Sequence, residues 1–325
     1  MVAIALGLRL SGLTWGAPSK SLTLATYHPD EAITLYSMER MRQRGDLYPD
    51  DALWWGSLHY YLTGATLLTA KVAHLISSDN RGQMKEDFRQ ADRLYLIGRL
   101  ISALSGLGSV ILLGFIGKTL FDAKTGLTAA GLFAFSPAAI ASDHFLKPDS
   151  LFLALGLLGL WMTFHWLKLG INLKRAFLIG VVFGLSASSK YTGFLYWPLA
   201  LAAVWLGAKK PWKAASLTMA GLFLAFIVTC PYSVLSFNSF SHYFLGEISR
   251  VVNKDPRASS NLLLGVYQII TYYLPFSTSW LVAATGMAGI VIGTKWPAGP
   301  AKTIFLLGSL STFAVISYSH TKNAI

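Results

Sequence analysis

Residues Leu94–Gly117 read LYLIGRLISALSGLGSVILLGFIG, an unbroken apolar run with one charge, Arg99, near its start. A helix that crosses a bilayer needs roughly 20 such residues. The run does not alternate between apolar and polar positions, which sets a membrane β-barrel aside. Similar runs lie at Val2–Leu13, Gly126–Ala141, Leu151–Leu167, Ala176–Ser188, Gly193–Leu206, Ala214–Cys230, Phe276–Gly293 and Thr303–Tyr318. Composition agrees. Only 13% of the chain is charged and the mean hydropathy is +0.50, against about 25% charged residues in soluble domains. The fold class expected is an all-α polytopic membrane protein of about nine spans, one domain over residues 1–325. Val2–Leu13 has no clear small-x-small cleavage site after it, so it reads as a first span and not as a signal peptide.

The net charge of +12 does not point to nucleic acid, because the lysines and arginines sit in short loops between spans. Lys118 and Lys124, then Lys168, Lys174 and Arg175, then Lys209, Lys210 and Lys213, then Lys295 and Lys302 fall on one side if Leu58–Ile76 does not cross. The positive-inside rule makes that side cytoplasmic. The opposite face then gathers three outward loops, 19–93, 142–150 and 233–275. If Leu58–Ile76 does cross, the acids near residue 30 are separated from those near residue 149 by the membrane. The non-crossing arrangement is preferred, since it collects nearly every acid and histidine of interest on one face. Ala32–Arg44 has the pattern of an amphipathic helix, and Trp54, Trp55, Tyr60 and Tyr61 form an aromatic cluster suited to the headgroup level. The single cysteine, Cys230, excludes an internal disulfide.

Acids are sparse, fifteen in all, so their positions are informative. His28-Pro29-Asp30-Glu31 places Pro29 at a helix start and two carboxylates in the first turn, where the helix dipole stabilises them. That is either an ordinary helix start or a carboxylate held at the membrane surface to take a proton. Asp143-His144 and Asp149 lie in a tight connection between two apolar runs. Asp149 could cap the next helix, and Asp143 with His144 could contribute to a divalent-cation site. Lys190 lies in Ser188-Ser189-Lys190-Tyr191-Thr192-Gly193 between apolar stretches; it either snorkels at a helix end or supplies a point charge to a phosphate. Arg99 allows the same two readings. No phosphate-binding Gly-rich loop, dinucleotide fingerprint, nucleophile elbow or His-Glu-x-x-His helix is present.

In order along Leu8–Pro198, these pieces resemble the GT-C glycosyltransferases, and within them the protein O-mannosyltransferase-like group, family 39. The resemblance is carried by Leu8-Arg9-Leu10, His28-Pro29-Asp30-Glu31, Trp54-Trp55-Gly56-Ser57-Leu58-His59-Tyr60-Tyr61, Arg99-Leu100-Ile101-Ser102-Ala103-Leu104, Phe135-Ser136-Pro137, Asp149-Ser150 and Lys190-Tyr191-Thr192-Gly193. It implies a multi-span core whose outward loop holds juxtamembrane helices. It also implies transfer of a sugar, such as mannose, from a polyprenyl-phosphate carrier to an acceptor hydroxyl on the outer face of the cell membrane, with inversion. By the same resemblance, Asp30 is the catalytic carboxylate and Glu31 orients the acceptor or assists. Asp149 is the acid of the second outward loop, Lys190 the lysine near the carrier phosphate, and Arg99 a second candidate for that task. His28, His59 and Tyr60 line the acceptor and donor loop.

Two departures stand out. Asp143-His144 and Lys147 replace the family's Arg and apolar run before the second acid, and the usual C-terminal spans are absent, so the chain reads as a fragment. A divalent metal is admitted but not required by the sequence. The expected partners are a polyprenyl-phosphate-linked sugar, an acceptor among proteins, lipids or glycans, and membrane lipids. A multi-span transporter predicts charges at mid-span and an internal repeat; the acids here lie at span ends and no repeat is evident. A non-catalytic membrane scaffold is the other alternative, and it leaves the clustering of Asp30, Asp149 and Lys190 as coincidence.

Overall fold

The computed structural model describes residues 1–21, 26, 28–49, 53–77 and 87–252, with the single positions 267 and 299. These residues are helical, with no strand among them beyond an isolated bridge between Ile171 and Ala208. Helix α1 spans Val2–Leu10, α2 Pro29–Arg44 and α3 Leu58–Val72. Next come α4 (Phe88–Leu120), α5 (Ala123–Ala134), α6 (Pro137–Asp143) and α7 (Asp149–Leu169). Helix α8 (Leu173–Ser189) runs into a 3-10 turn at Tyr191–Tyr196 and then α9 (Trp197–Gly207). Helices α10 (Pro211–Thr229) and α11 (Phe237–Val252) complete the described part.

Local chemistry sets these boundaries. Helix α2 starts at Pro29, with the His28 side chain accepting from the Asp30 N–H, and stops at Gly45 in the left-handed conformation (φ 70°). Asp87 caps α4 by accepting from the Arg89 N–H, and Asn172 caps α8 by accepting from the Arg175 N–H at 2.9 Å. The run Gly126–Ala141, expected as one span, is two helices bent by 64°. Pro137 has no N–H to continue α5, and Ser136 caps the new helix through the Ala139 N–H.

Among the described residues three helices are long and apolar enough to cross a membrane: α4, α7 and α10, or four spans if α5 and α6 form one bent crossing. The chain is an integral membrane protein of polytopic, helical build. The expected nine spans are not reached among the described residues: α8 has 17 residues, and Phe276–Gly293 and Thr303–Tyr318 lie outside them. The ambiguous segment Leu262–Leu274 and most of the third outward loop, 233–275, also lie outside. Helix α4, at 33 residues, is about 50 Å long, so its polar first turns extend past a hydrocarbon core of about 30 Å.

The bundle closes by close helix contact. A methyl group on Gly180 would stand 1.9 Å from the Thr218 carbonyl oxygen, and one on Gly221 2.3 Å from that of Phe177. Small residues thus let α8 and α10 meet backbone to backbone, the usual way membrane helices associate. Leu160 and Phe164 of α7, Ile179 and Phe183 of α8, Val204 of α9 and Leu222 of α10 fill the space between them.

The two ends of the bundle differ. At one, the Ile171 N–H donates to Gly207 at 3.2 Å and Lys168 donates to the Thr119 carbonyl, drawing three lysine-bearing connections together. At the other, α2, α3 and the connections after α6 and α8 meet. Helix α3, at 15 residues, is about 22 Å long and packs beside α2 and α4 without separating the two acidic groups. This is the arrangement that loop charge favours.

Candidate functional site

Among the carboxylates at the end opposite the lysine loops are Glu31, Asp143, Asp149 and Asp30, and the first three are each bound to a buried or half-buried cation. Glu31 is 0% exposed. Its two oxygens accept from Arg99 Nε at 2.7 Å and Nη2 at 2.8 Å, and Oε1 also accepts from the Leu146 N–H at 2.8 Å. Arg99 Nη1 donates to the carbonyls of Leu13 and Trp15, and the guanidinium lies over the rings of Tyr95 and Phe145. A forked guanidinium suits such a carboxylate. One pair therefore joins four segments: the chain after α1, the start of α2, α4 and the second connection.

A second buried pair works alongside it. Arg9 Nε donates to Asp143 Oδ2 at 2.8 Å, and Ser150 Oγ donates to Oδ1 at 2.5 Å. Gly106 makes room for this carboxylate, since a methyl there would lie 2.0 Å from Oδ2. The third pair is more open. Lys190 Nζ donates to Asp149 Oδ1 at 2.6 Å with both side chains 30% exposed, and Lys147 Nζ stands 4.0 Å from Asp149 Oδ2.

Asp30 is the exception. Its side chain is 33% exposed, and its one ion-pair partner among the described residues is the titratable ring of His28, whose Nδ1 is 3.9 Å from Oδ2. The helix start is capped by His28, not by Asp30, which leaves the Asp30 carboxylate without a capping task.

His59 and Tyr60, adjacent at the start of α3, connect this residue to the third pair. Burial raises the Tyr60 phenol well above its usual range, and the charge of Asp30 adds to that. Burial holds the His59 imidazole down to about 4, and the charge of Asp149 opposes that drop. The first turn of α3 thus lies within electrostatic reach of both Asp30 and Asp149. His28 meets Phe145 ring to ring at 4.8 Å, joining the first and second outward loops directly.

Several expectations from the sequence change here. Arg99, expected near a phosphate, is 1% exposed with Nε, Nη1 and Nη2 all engaged, so it does not present itself to a ligand. Glu31 is sealed behind Arg99 and does not reach an acceptor. Asp143 is committed to Arg9 and Ser150. His144 Nε2 stands 3.2 Å from the Leu8 carbonyl, and burial pushes its imidazole down. Among the described residues no three His, Cys, Asp or Glu side chains converge as metal ligands. With Asp143 and Asp149 each neutralised by a cation, these residues do not fit a divalent metal, and no step is derived through one. Arg9 entered the sequence reading only as part of Leu8-Arg9-Leu10, without a role. Its signal was a lone arginine inside an apolar helix, which must find a buried partner.

A cavity of about 550 Å³ runs between α5, α6 and α7 beside these groups. Leu132, Phe133, Phe152 and Leu153 give it apolar walls, and Asp143, Asp149 and Ser150 also line it.

Residues 95–235 match the family model for dolichyl-phosphate-mannose-protein mannosyltransferases. The resemblance read from the sequence holds over that segment. It contains Arg99, Asp143, Asp149 and Lys190, while Asp30 lies outside it. Among solved structures, the chain is similar to the oligosaccharyltransferase of Archaeoglobus fulgidus, crystallised with zinc and sulfate, at 12% identity and a TM-score of 0.57. The likeness covers 99% of this chain and 48% of that one, so the chain spans about half the length of that enzyme. At that identity the likeness is one of fold. No curated protein matches the chain significantly in sequence.

Proposed function

We propose that the chain is a membrane glycosyltransferase that moves a sugar from a polyprenyl-phosphate carrier to an acceptor hydroxyl at the outer face. The observation that carries this reading is the contrast among Glu31, Asp143, Asp149 and Asp30: three are locked to cations, and Asp30, partly exposed, pairs with no lysine or arginine among the described residues. The family match over residues 95–235 and the GT-C fold support it.

In the proposed reaction the acceptor oxygen attacks the anomeric carbon from the face opposite the carrier phosphate. The new carbon–oxygen bond forms as the sugar–phosphate bond breaks, so the configuration inverts. Asp30 takes the acceptor's proton, and polyprenyl phosphate leaves with the electron pair. A phosphate leaving group needs charge stabilisation and no proton donor, which Lys190 is placed to give. Asp149 holds that ammonium in position. Glu31 and Arg99 act as positioning residues that fix the first turn of α2, and the Arg9–Asp143 pair fixes the second connection. The apolar cavity between α5, α6 and α7 is a fitting path for the start of an isoprenoid chain.

The test is reconstitution. Purified chain in proteoliposomes, supplied with radiolabelled polyprenyl-phosphate mannose and a membrane extract as acceptor source, is expected to release polyprenyl phosphate and label an acceptor. If neither event depends on the protein, across mannose, glucose and pentose donors, the reading is wrong.

A further inference from the structure

Helix α3 carries a buried polar pair that nothing among the described residues satisfies. His59 and Thr63 are four residues apart, so they lie on one helix face, one turn above the other. Both are 0% exposed. Neither ring nitrogen of His59 nor the Thr63 hydroxyl has a hydrogen-bond partner among the described residues. The contrast within the same helix is direct. Thr66 and Thr69 each turn their hydroxyl back to the carbonyl four residues earlier, at 2.8 Å. Thr63 does not take that bond. Buried polar atoms without partners are rare in folded proteins, and each calls for an explanation.

The position is suggestive as well. The charge of Asp149 reaches the His59 ring, and the charge of Asp30 reaches Tyr60 one residue on. The pair thus belongs to a helix whose first turn feels the charge of both the proposed base and the lysine-bound acid. Its chemistry is specific. A neutral imidazole offers one donor and one acceptor, and a threonine hydroxyl offers both. A phosphate calls for donors only and a metal ion for acceptors only; two neighbouring hydroxyls of a sugar ring call for both kinds. Burial keeps the imidazole neutral and so preserves this mixed character.

We infer that His59 and Thr63 form the subsite that hydrogen-bonds ring hydroxyls of the donor sugar. The inference rests on the function proposed above and deepens it by naming the residues that read the sugar. Both groups are covered in this structure, so the sugar reaches them by displacing the side chains over them.

Equilibrium binding of radiolabelled polyprenyl-phosphate mannose to the purified full chain in nanodiscs tests this without turnover. Thr63→Val, nearly isosteric, and His59→Phe are each expected to weaken donor binding about ten-fold, the loss that accompanies one missing hydrogen bond. Without donor, the melting temperature of Thr63→Val is expected to be unchanged or higher, because an unsatisfied group has been removed. Unchanged donor binding in both variants overturns the subsite. So does a lower melting temperature for Thr63→Val with donor binding intact, which marks a site filled by ordered water. A change in acceptor KM with donor binding intact overturns the assignment to the donor. If the wild-type chain binds no polyprenyl-phosphate hexose at all, it is the proposed function that fails.

Discussion

Asp30 and His59 are set apart from their neighbours by what they lack. Glu31, Asp143 and Asp149 each meet a cation within 2.8 Å, whereas among the described residues Asp30 pairs only with His28, at 3.9 Å. From the sequence the four acids looked alike; which were paired depended on contacts such as Arg9 with Asp143, 134 positions apart, that no local pattern records. Burial holds His59 at about 4 against an ordinary 6.5. Between those values the unfolded chain binds more protons than the folded one, so stability falls as pH drops from about 6.5 toward 4. Melting curves across that window are expected to show this loss, and His59→Phe is expected to flatten it.

At the scale of elements, α2 is held in place by a single fork. The Glu31–Arg99 pair ties its first turn to α4, and the Leu146 N–H fixes the second connection to the same carboxylate. Glu31→Ala leaves a guanidinium buried without its counter-charge, which typically destabilises by about 3–5 kcal/mol. The expected result is a lower melting temperature in detergent together with loss of transfer, since the first turn also carries Asp30. The apolar runs made α4, α7 and α10 readable from sequence, because length and hydropathy alone define a span. The break between α5 and α6 was not read, although Phe135-Ser136-Pro137 was in view, because proline is tolerated in many membrane helices and only packing decides whether it bends one. Helix α3 was ambiguous for a related reason: Leu58–Ile76 has the length of a span, but the helix formed within it has 15 residues, too few to cross.

For the whole molecule, charge and geometry agree that the chain has two unlike ends. The lysine loops gather at one and the paired acids at the other, which is what a sided membrane enzyme requires. Orientation can be read with engineered thiols, because the single native cysteine, Cys230, is 0% exposed and adds little background. Asp46→Cys is expected to react with an impermeant maleimide added outside intact cells, and Lys209→Cys only after the membrane is opened. The reverse pattern would place the acidic end in the cytoplasm and remove the outer-face assignment. The family match over residues 95–235 and the shared fold support the proposed sugar transfer at that end, and in that proposal Asp30 is the base. The most direct measurement is the initial rate of sugar transfer from polyprenyl-phosphate mannose by wild type and Asp30→Asn at equal amounts of folded protein. The account predicts a fall of ~10²–10⁴-fold, the usual contribution of a positioned base, with donor binding retained. A variant that transfers at the wild-type rate would contradict it.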